Sequence, residues 1–258
     1  MLNIGKSHDV IKYIKRIKEK SSSDIYIEDL SVLEFLMKEK KELEIFIFSE
    51  ELIFSDLAKE VVAYFVKHSK EVYTVSKKVY EEIITKGFSA GVIGVYKFEF
   101  KPLESMKDKQ FAVVLDGLET PGNLGTILRT CDAYDVDLVM LVDSKTNVFN
   151  PKVVQSSRGM SLLLNIVNVT YEEAQKFLLE NNFDIYLGEP VLGKSYLDYE
   201  YKNKTALVFG NERFGINQKW YQNPNYKLFV PMYGKMTSLN VSVAASIVIA
   251  YSGIKRHR

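Results

Sequence analysis

Short, wholly apolar runs alternate with helix-like segments through the second half of the chain: FAVVL at 111–115, LVMLV at 138–142 and ALVF at 206–209. A run of that length with no polar face is a strand buried on both sides. Strands separated by a helix lie parallel, because a parallel partner needs a long crossover. Further strands are expected at Ile166–Val169, Asp184–Leu187 and Leu228–Val230, and helices at Thr126–Tyr134, Pro151–Met160, Tyr171–Asn181 and Ser238–Tyr251. Together they predict an α/β unit with a mostly parallel sheet covered on both faces. The closing helix is so rich in small and apolar residues that it is expected to be buried nearly all round, against the sheet and a second subunit.

The first hundred residues read as a second, smaller α/β unit. Val10, Ile11, Ile14 and Ile17 recur at helical spacing among Lys12, Lys15, Arg16, Lys18 and Lys20. This amphipathic basic helix fits either a solvated face or a contact with an RNA backbone. After the Ser21-Ser22-Ser23 loop come a strand at Asp24–Glu28 and a helix capped by Ser31. Strands at Glu44–Phe48, Glu71–Val75 and Val92–Phe98 alternate with helices at Ser55–His68 and Lys77–Thr85, with a break at Gly87–Gly91. Glu99–Gln110, holding Pro102 and mixed charges, reads as a linker. The expected division is therefore 1–104 and 105–258.

Composition excludes several classes. At 258 residues with 34 Lys/Arg against 33 Asp/Glu, no global charge marks a nucleic-acid binder, so any phosphate contact must be local. Cys131 is the single cysteine, which rules out an intrachain disulfide; it is expected to be small and buried. His8, His68 and His257 lie far apart, so no metal is expected. No apolar run reaches a membrane span and the amino terminus lacks a signal-peptide core, which predicts a cytoplasmic protein.

Chemistry-bearing residues gather where three buried strands end. After Leu115 a turn spaced Gly117-x4-Gly122-x2-Gly125 leads to a helix carrying Arg129. That spacing is neither GxGxxG nor GxxxxGK[ST], which counts against dehydrogenase and NTPase readings. Asn123 fits a helix cap, and Arg129 fits a surface ion pair or a ligand contact. The second strand runs into Gly210-Asn211-Glu212, closed by Gly215, a tight turn suited to a polar small molecule. The third ends at Val230-Pro231, and a glycine loop leads to Ser238-Leu239-Asn240. Ligands of open α/β sheets bind outside the carboxyl ends of strands, where all three turns lie.

Taken together, PGNLGTILRT (121–130), FGNERFGI (209–216) and VPMYGKMTSLNVSVAASI (230–247) resemble the three motifs of the SpoU branch of the SPOUT superfamily, the TrmH-like RNA ribose 2′-O-methyltransferases. NPKVVQSSRGM (150–160) is similar to a further family segment, with Gln155 where arginine is usual and Arg158 nearby. Residues 1–98 resemble the ribosomal-protein-like substrate-binding domain that precedes many such enzymes; FSAGVIGVYKF (88–98) carries the match, and Asp29 stands where glycine is usual. The resemblance implies a trefoil knot in the carboxyl-terminal domain and a homodimer formed through that domain. It implies S-adenosylmethionine held by Gly210, Val230 and Leu239, with Asn211, Glu212, Met232, Ser238 and Asn240 shaping the pocket. It nominates Arg129 at the ribose 2′-hydroxyl, with Asn123 positioning it and Glu212 ordering the loops. Lys15, Arg16, Lys152 and Arg158 are the expected RNA contacts, joined by the amino-terminal lysines and the Lys255–Arg258 tail, which fits a solvated end equally well. Ribosomal RNA is the first expectation for substrate and transfer RNA the alternative; a non-catalytic RNA binder and a generic nucleotide enzyme are the rival readings.

Overall fold

A computed structural model describes residues 1–19, 22–85 and 90–257. Lys20 and Ser21 of the amino-terminal helix and loop, Gly87, Phe88 and Ser89 of the expected break, and Arg258 of the tail lie outside the described residues. Two compact units account for the rest: residues 1–99 with 149–159, and residues 100–148 with 160–258.

The first unit contains β1 (Leu2–Asn3), α1 (Asp9–Glu19), β2 (Asp24–Ile27), α2 (Leu30–Lys38), β3 (Leu43–Phe48), α3 (Asp56–Phe65), β4 (Ser69–Thr74), α4 (Lys77–Ile83) and β5 (Val92–Lys97). Its sheet has the order β1-β4-β3-β5-β2, with β3 parallel to β4 and antiparallel to β5. Ile11, Ile14 and Ile17 of α1 enter a core with Tyr26, Ile45 and Val95, which is why the helix is apolar along one stripe only. On its polar side Lys12 pairs with Asp9 at 2.9 Å, and the Lys18 ammonium donates to the Ile83 carbonyl at 2.6 Å. Those two lysines are engaged within the unit. The cap of α2 is Asp29 rather than the expected Ser31: the Asp29 carboxylate accepts from the Ser31 backbone N–H at 2.9 Å. An acidic residue there meets the unpaired N–H groups of a helix start, which accounts physically for its place in the sequence.

The second unit opens with β6 (Phe111–Asp116), α5 (Pro121–Ala133) and β7 (Leu138–Val142). A short α6 (Pro151–Ser156) belongs to the first compact unit. The chain continues with β8 (Ile166–Val169), α7 (Tyr171–Glu180), β9 (Asp184–Glu189), β10 (Lys194–Ser195), β11 (Thr205–Phe209), β12 (Tyr226–Phe229) and α8 (Val241–Arg256). The seven strands are ordered β10-β12-β9-β11-β6-β7-β8 and every pairing is parallel. Ala112, Val114, Met140 and Val208 share one core with Ala174 and Leu178 of α7. The alternate residues Val113, Leu115, Val139 and Leu207 are equally buried and point to the opposite face.

α8 packs on β11 and on α5. Its small residues permit a close approach: a Cβ on Gly253 would lie 2.9 Å from the Tyr134 carbonyl, and the Ser246 and Thr130 hydroxyls are 2.9 Å apart. The helix is not buried all round, however. Val243 and Ile254 are each almost half exposed, because the sheet and α5 cover only one side. Among the described residues no helix is long and apolar enough to cross a membrane.

Candidate functional site

β6 lies between β11 and β7, so the chain leaving β6 turns one way and the chain leaving β11 lies on the other side. Such a switch in an open parallel sheet leaves a crevice at the strands' carboxyl ends. Two tight connections span it. The Asn211 side-chain amide donates to the Gly117 carbonyl at 2.8 Å, where Gly117 adopts φ +67°. Glu212 accepts from the backbone N–H groups of Glu119 (3.3 Å) and Thr120 (3.2 Å) and from the Asn123 amide (2.9 Å). A carboxylate bonded to the N–H groups just ahead of α5 lies at the positive end of that helix and is favoured there. Burial pushes the Glu212 carboxyl up, but these hydrogen bonds outweigh it and leave it below its ordinary value.

The expected turn from Gly117 to Gly125 is therefore only half a turn, since everything from Pro121 onward is helical. Pro121 is the first residue of α5 and Thr120 its cap position, five residues ahead of the expected start; proline without an N–H suits the first helical position. Asn123 sits inside the helix and is committed to Glu212 rather than serving as a cap. Two turns further on, Arg129 is exposed and forms no ion pair among the described residues.

The loop after β11 closes on itself. Asn211 and Gly215 exchange backbone hydrogen bonds of 2.9 and 3.0 Å, and the Asn211 side-chain oxygen accepts from the N–H groups of Arg213 and Phe214. A Cβ on Gly210 would stand 2.2 Å from the Gly215 carbonyl carbon, so only glycine allows this closure. Beneath it, buried Asp116 accepts from the Asn217 N–H at 2.7 Å; burial raises its carboxyl and that hydrogen bond opposes the rise. At the third loop Asn240 caps α8, accepting from the Ser242 N–H at 2.8 Å.

These loops enclose a cavity of about 560 Å³. Gly210, Asn211, Val230, Met232, Ser238, Leu239 and Asn240 all line it, as does Glu212. Asn123 and Arg129 are not among its lining residues; Glu212 links them to it through α5. Lys15 and Arg16 on α1, and Lys152 and Arg158 around α6, belong to the first unit. The Arg16 guanidinium lies 5.3 Å from the Tyr13 ring centre, and Arg158 takes a left-handed φ of +51°. Of the carboxyl-terminal tail, Lys255 and Arg256 are part of α8, and Arg256 donates to the carbonyls of Tyr201 and Asn203 at 3.2 and 2.7 Å. That guanidinium is held inside the fold and is no free phosphate contact. Cys131 is buried, which pushes its thiol up. Among the described residues no group of three or more His, Cys, Asp or Glu is placed to hold a metal ion.

No residue of the turn after β6 lines the cavity; its place is taken by a segment the motifs did not include, Gly188, Glu189 and Pro190, at the end of β9. It carries the same signal as the others, a glycine and a polar residue at the carboxyl end of a buried strand. The Glu189 carboxylate accepts a hydrogen bond from the Tyr221 hydroxyl.

The sequence description of the SpoU rRNA Methylase family matches residues 110–250, more than half of the chain. The chain belongs to that family. Its sequence is 31% identical over 148 residues to the 23S rRNA (guanosine(2553)-2′-O)-methyltransferase RlmP of Bacillus subtilis, covering 57% of this chain and 60% of that protein. An uncharacterized tRNA/rRNA methyltransferase of Borreliella burgdorferi is 34% identical over 151 residues, covering 57% and 66%. The matched stretch thus spans less than two thirds of either relative. In fold, this SpoU family member is similar over its whole length to an AdoMet-bound rRNA methyltransferase from Sinorhizobium meliloti, with a TM-score of 0.84, 21% identity and 98% of that chain covered.

Proposed function

We propose that this chain transfers a methyl group from S-adenosylmethionine to a ribose 2′-oxygen of RNA, with ribosomal RNA as the substrate class. The observation that carries the reading is the convergence of three strand-end loops on one cavity, tied by Glu212 to the helix bearing Arg129. The cavity suits the donor. Its volume lies within the range of about 300–1,000 Å³ usual for small-ligand sites. Met232, Val241 and Val248 give it apolar walls, and Glu189 and Glu212 face a cationic ligand with negative charge. At Gly210 the absence of a side chain lets backbone form the wall.

When bound, the donor supplies an electrophilic methyl group on a sulfonium centre. The chain's own residues supply placement. Gly210, Val230 and Leu239 hold the donor largely by backbone, Asn211 and Glu212 keep their loop against α5, and Met232, Ser238 and Asn240 shape the pocket. Arg129 orients the 2′-hydroxyl and the adjacent phosphate and offsets negative charge developing on the oxygen. A guanidinium offers only N–H donors and no acceptor site, so it orients the hydroxyl, whose proton passes to solvent as the methyl group arrives. The acceptor hydroxyl is what separates RNA from DNA.

The same reading assigns residues 1–104 to RNA binding, with Lys15 and Arg16 as contacts, and residues 105–258 to methyl transfer, with Lys152 and Arg158 of that stretch as further RNA contacts. It threads the carboxyl-terminal domain as a trefoil knot around the cavity, pairs two copies through α8, and sets the protein in the cytosol. Support for pairing comes from Val243, Ile247, Ala250 and Ile254, which share one side of α8 and remain partly exposed.

Calorimetry with S-adenosylmethionine, followed by mapping of 2′-O-methylation on total RNA from cells with and without the protein, tests the proposal. A donor-binding protein whose loss removes one ribosomal methyl group is the expected result. Loss of a transfer-RNA methyl group instead would move the substrate, and no donor binding would leave an RNA binder without catalysis.

A further inference from the structure

Two aromatic side chains stand in solvent on the loops that form the cavity, and nothing assigned so far uses them. Phe214 is 80% exposed and Tyr233 is 97% exposed. Neither lines the cavity, but their neighbours Arg213, Gly215, Met232 and Met236 do, which places both rings beside its mouth. One exposed ring is ordinary on a protein surface, but two on the loops around one cavity mark its rim as a contact surface.

The backbone that carries Phe214 is fixed. The Asn211–Gly215 backbone pair closes the loop beneath it, its own N–H is bonded to the Asn211 side-chain oxygen at 3.1 Å, and Gly215 takes φ +70°. Little backbone ordering is therefore left to do when the ring meets a ligand. Each ring also has a cation close by in sequence. Arg213 precedes Phe214, and Lys235 lies two residues beyond Tyr233. Neither forms an ion pair among the described residues. Single flat rings on loops that also carry glycine, arginine and lysine differ from the charge-depleted centre of a protein interface. They match a polymer that alternates planar bases with phosphates.

We propose that Phe214 and Tyr233 are stacking platforms for unpaired RNA bases flanking the acceptor ribose, with Arg213 and Lys235 on the adjoining phosphates. The assignment rests on the methyl-transfer reading for its substrate, and it adds that the acceptor lies in a single-stranded or splayed segment, since a paired base offers no free face.

The test is direct binding of a single-stranded oligoribonucleotide carrying 2-aminopurine, whose fluorescence reports stacking, by the wild type, Phe214→Ala, Phe214→Trp, Tyr233→Ala and Tyr233→Phe. Each alanine variant should weaken RNA binding about tenfold and lose the stacking signal, while the aromatic variants restore both. Affinity for S-adenosylmethionine, measured on the same preparations, should stay within about twofold of wild type, because neither ring lines the cavity. With RNA methylation as substrate, the alanine variants should raise KM rather than lower kcat. If the wild type methylates RNA and the alanine variants bind RNA as the wild type does, the stacking assignment is overturned and methyl transfer stands. Tenfold weaker RNA binding in a protein that transfers no methyl group would uphold stacking and remove the catalytic reading. A change in oligomeric state with unchanged RNA affinity would assign the rings to a second copy of the chain and overturn the proposal.

Discussion

Glu212 accepts three hydrogen bonds from the entrance of α5, and it does so as a carboxylate. Burial raises its pKa, the hydrogen bonds lower it by more, and the net position is below the ordinary 4.5. A group depressed in the folded state contributes stability above its unfolded pKa and loses it as pH falls through the folded value. Thermal melts taken from neutral pH down through the carboxylate range should show this contribution intact above pH 4.5 and declining below it. Glu212→Gln should flatten that part of the acid slope; identical slopes in the two proteins would mean that the clamp does not titrate. Arg129 makes the opposite case. Exposed and without an ion pair, it adds little to the fold, so Arg129→Ala should change stability by less than about 0.5 kcal/mol. Its single-turnover methyl transfer should nevertheless fall about 100-fold or more, as when one donor to a developing oxyanion is removed. Arg129→Lys should also be slow, because an ammonium cannot reproduce the planar fork; near-normal rates in both variants would take Arg129 out of the chemistry. What Asn123 does was closed to sequence reasoning. Its partner lies 89 residues away, and no spacing within PGNLG points to Glu212.

Among the elements, the buried strands were legible because a run such as Val113-Val114-Leu115 has no polar face and can lie only in the interior. Boundaries were legible where a capping residue marks them, as at Ser55 and Ser76, and missed where a residue type points two ways. Pro121-Gly122-Asn123 reads as a turn by composition, yet proline at a first helical position starts α5. β10 is too short for any periodicity to show. The end of α8 depends on a contact invisible in sequence: Arg256 lies with its guanidinium carbon 5.2 Å from the Phe111 ring centre and donates to Tyr201, Asn203 and the Thr205 hydroxyl. Burial lowers the guanidinium's pKa, and the carbonyls that receive its protons keep it in place. Arg256→Ala leaves those acceptors without their donor and should cost about 2 kcal/mol, read as a lower urea midpoint with an unchanged slope. A midpoint equal to that of the wild type would show that the helix end is held by its apolar side alone.

At the scale of the whole molecule, the cavity depends on strand order. Its lining comes from the ends of β9, β11 and β12, and these meet because β9 is inserted between β12 and β11. Parallel pairings between strands far apart in sequence are not encoded by local pattern, so the motifs could be seen singly while their meeting place could not. A similar limit applies to α8, whose composition asked for a partner without saying which side. In the fold, Ser242, Ala245, Val248 and Ile249 are buried within one chain, while Val243 and Ile254 stay almost half exposed with Ile247 and Ala250 between them. In the proposed pairing, a two-fold axis brings the same patch of both copies together, so a residue near the axis meets its own counterpart. One glutamate introduced there becomes two facing carboxylates, and the repulsion adds to the lost apolar area. Val243→Glu combined with Ile254→Glu should therefore convert a sedimenting dimer into a monomer, with the helical circular dichroism unchanged because both positions point away from the chain's own core. A wild type that sediments as a monomer throughout the micromolar range, or a double variant that still pairs, would place the contact between copies elsewhere and leave this side of α8 for another role.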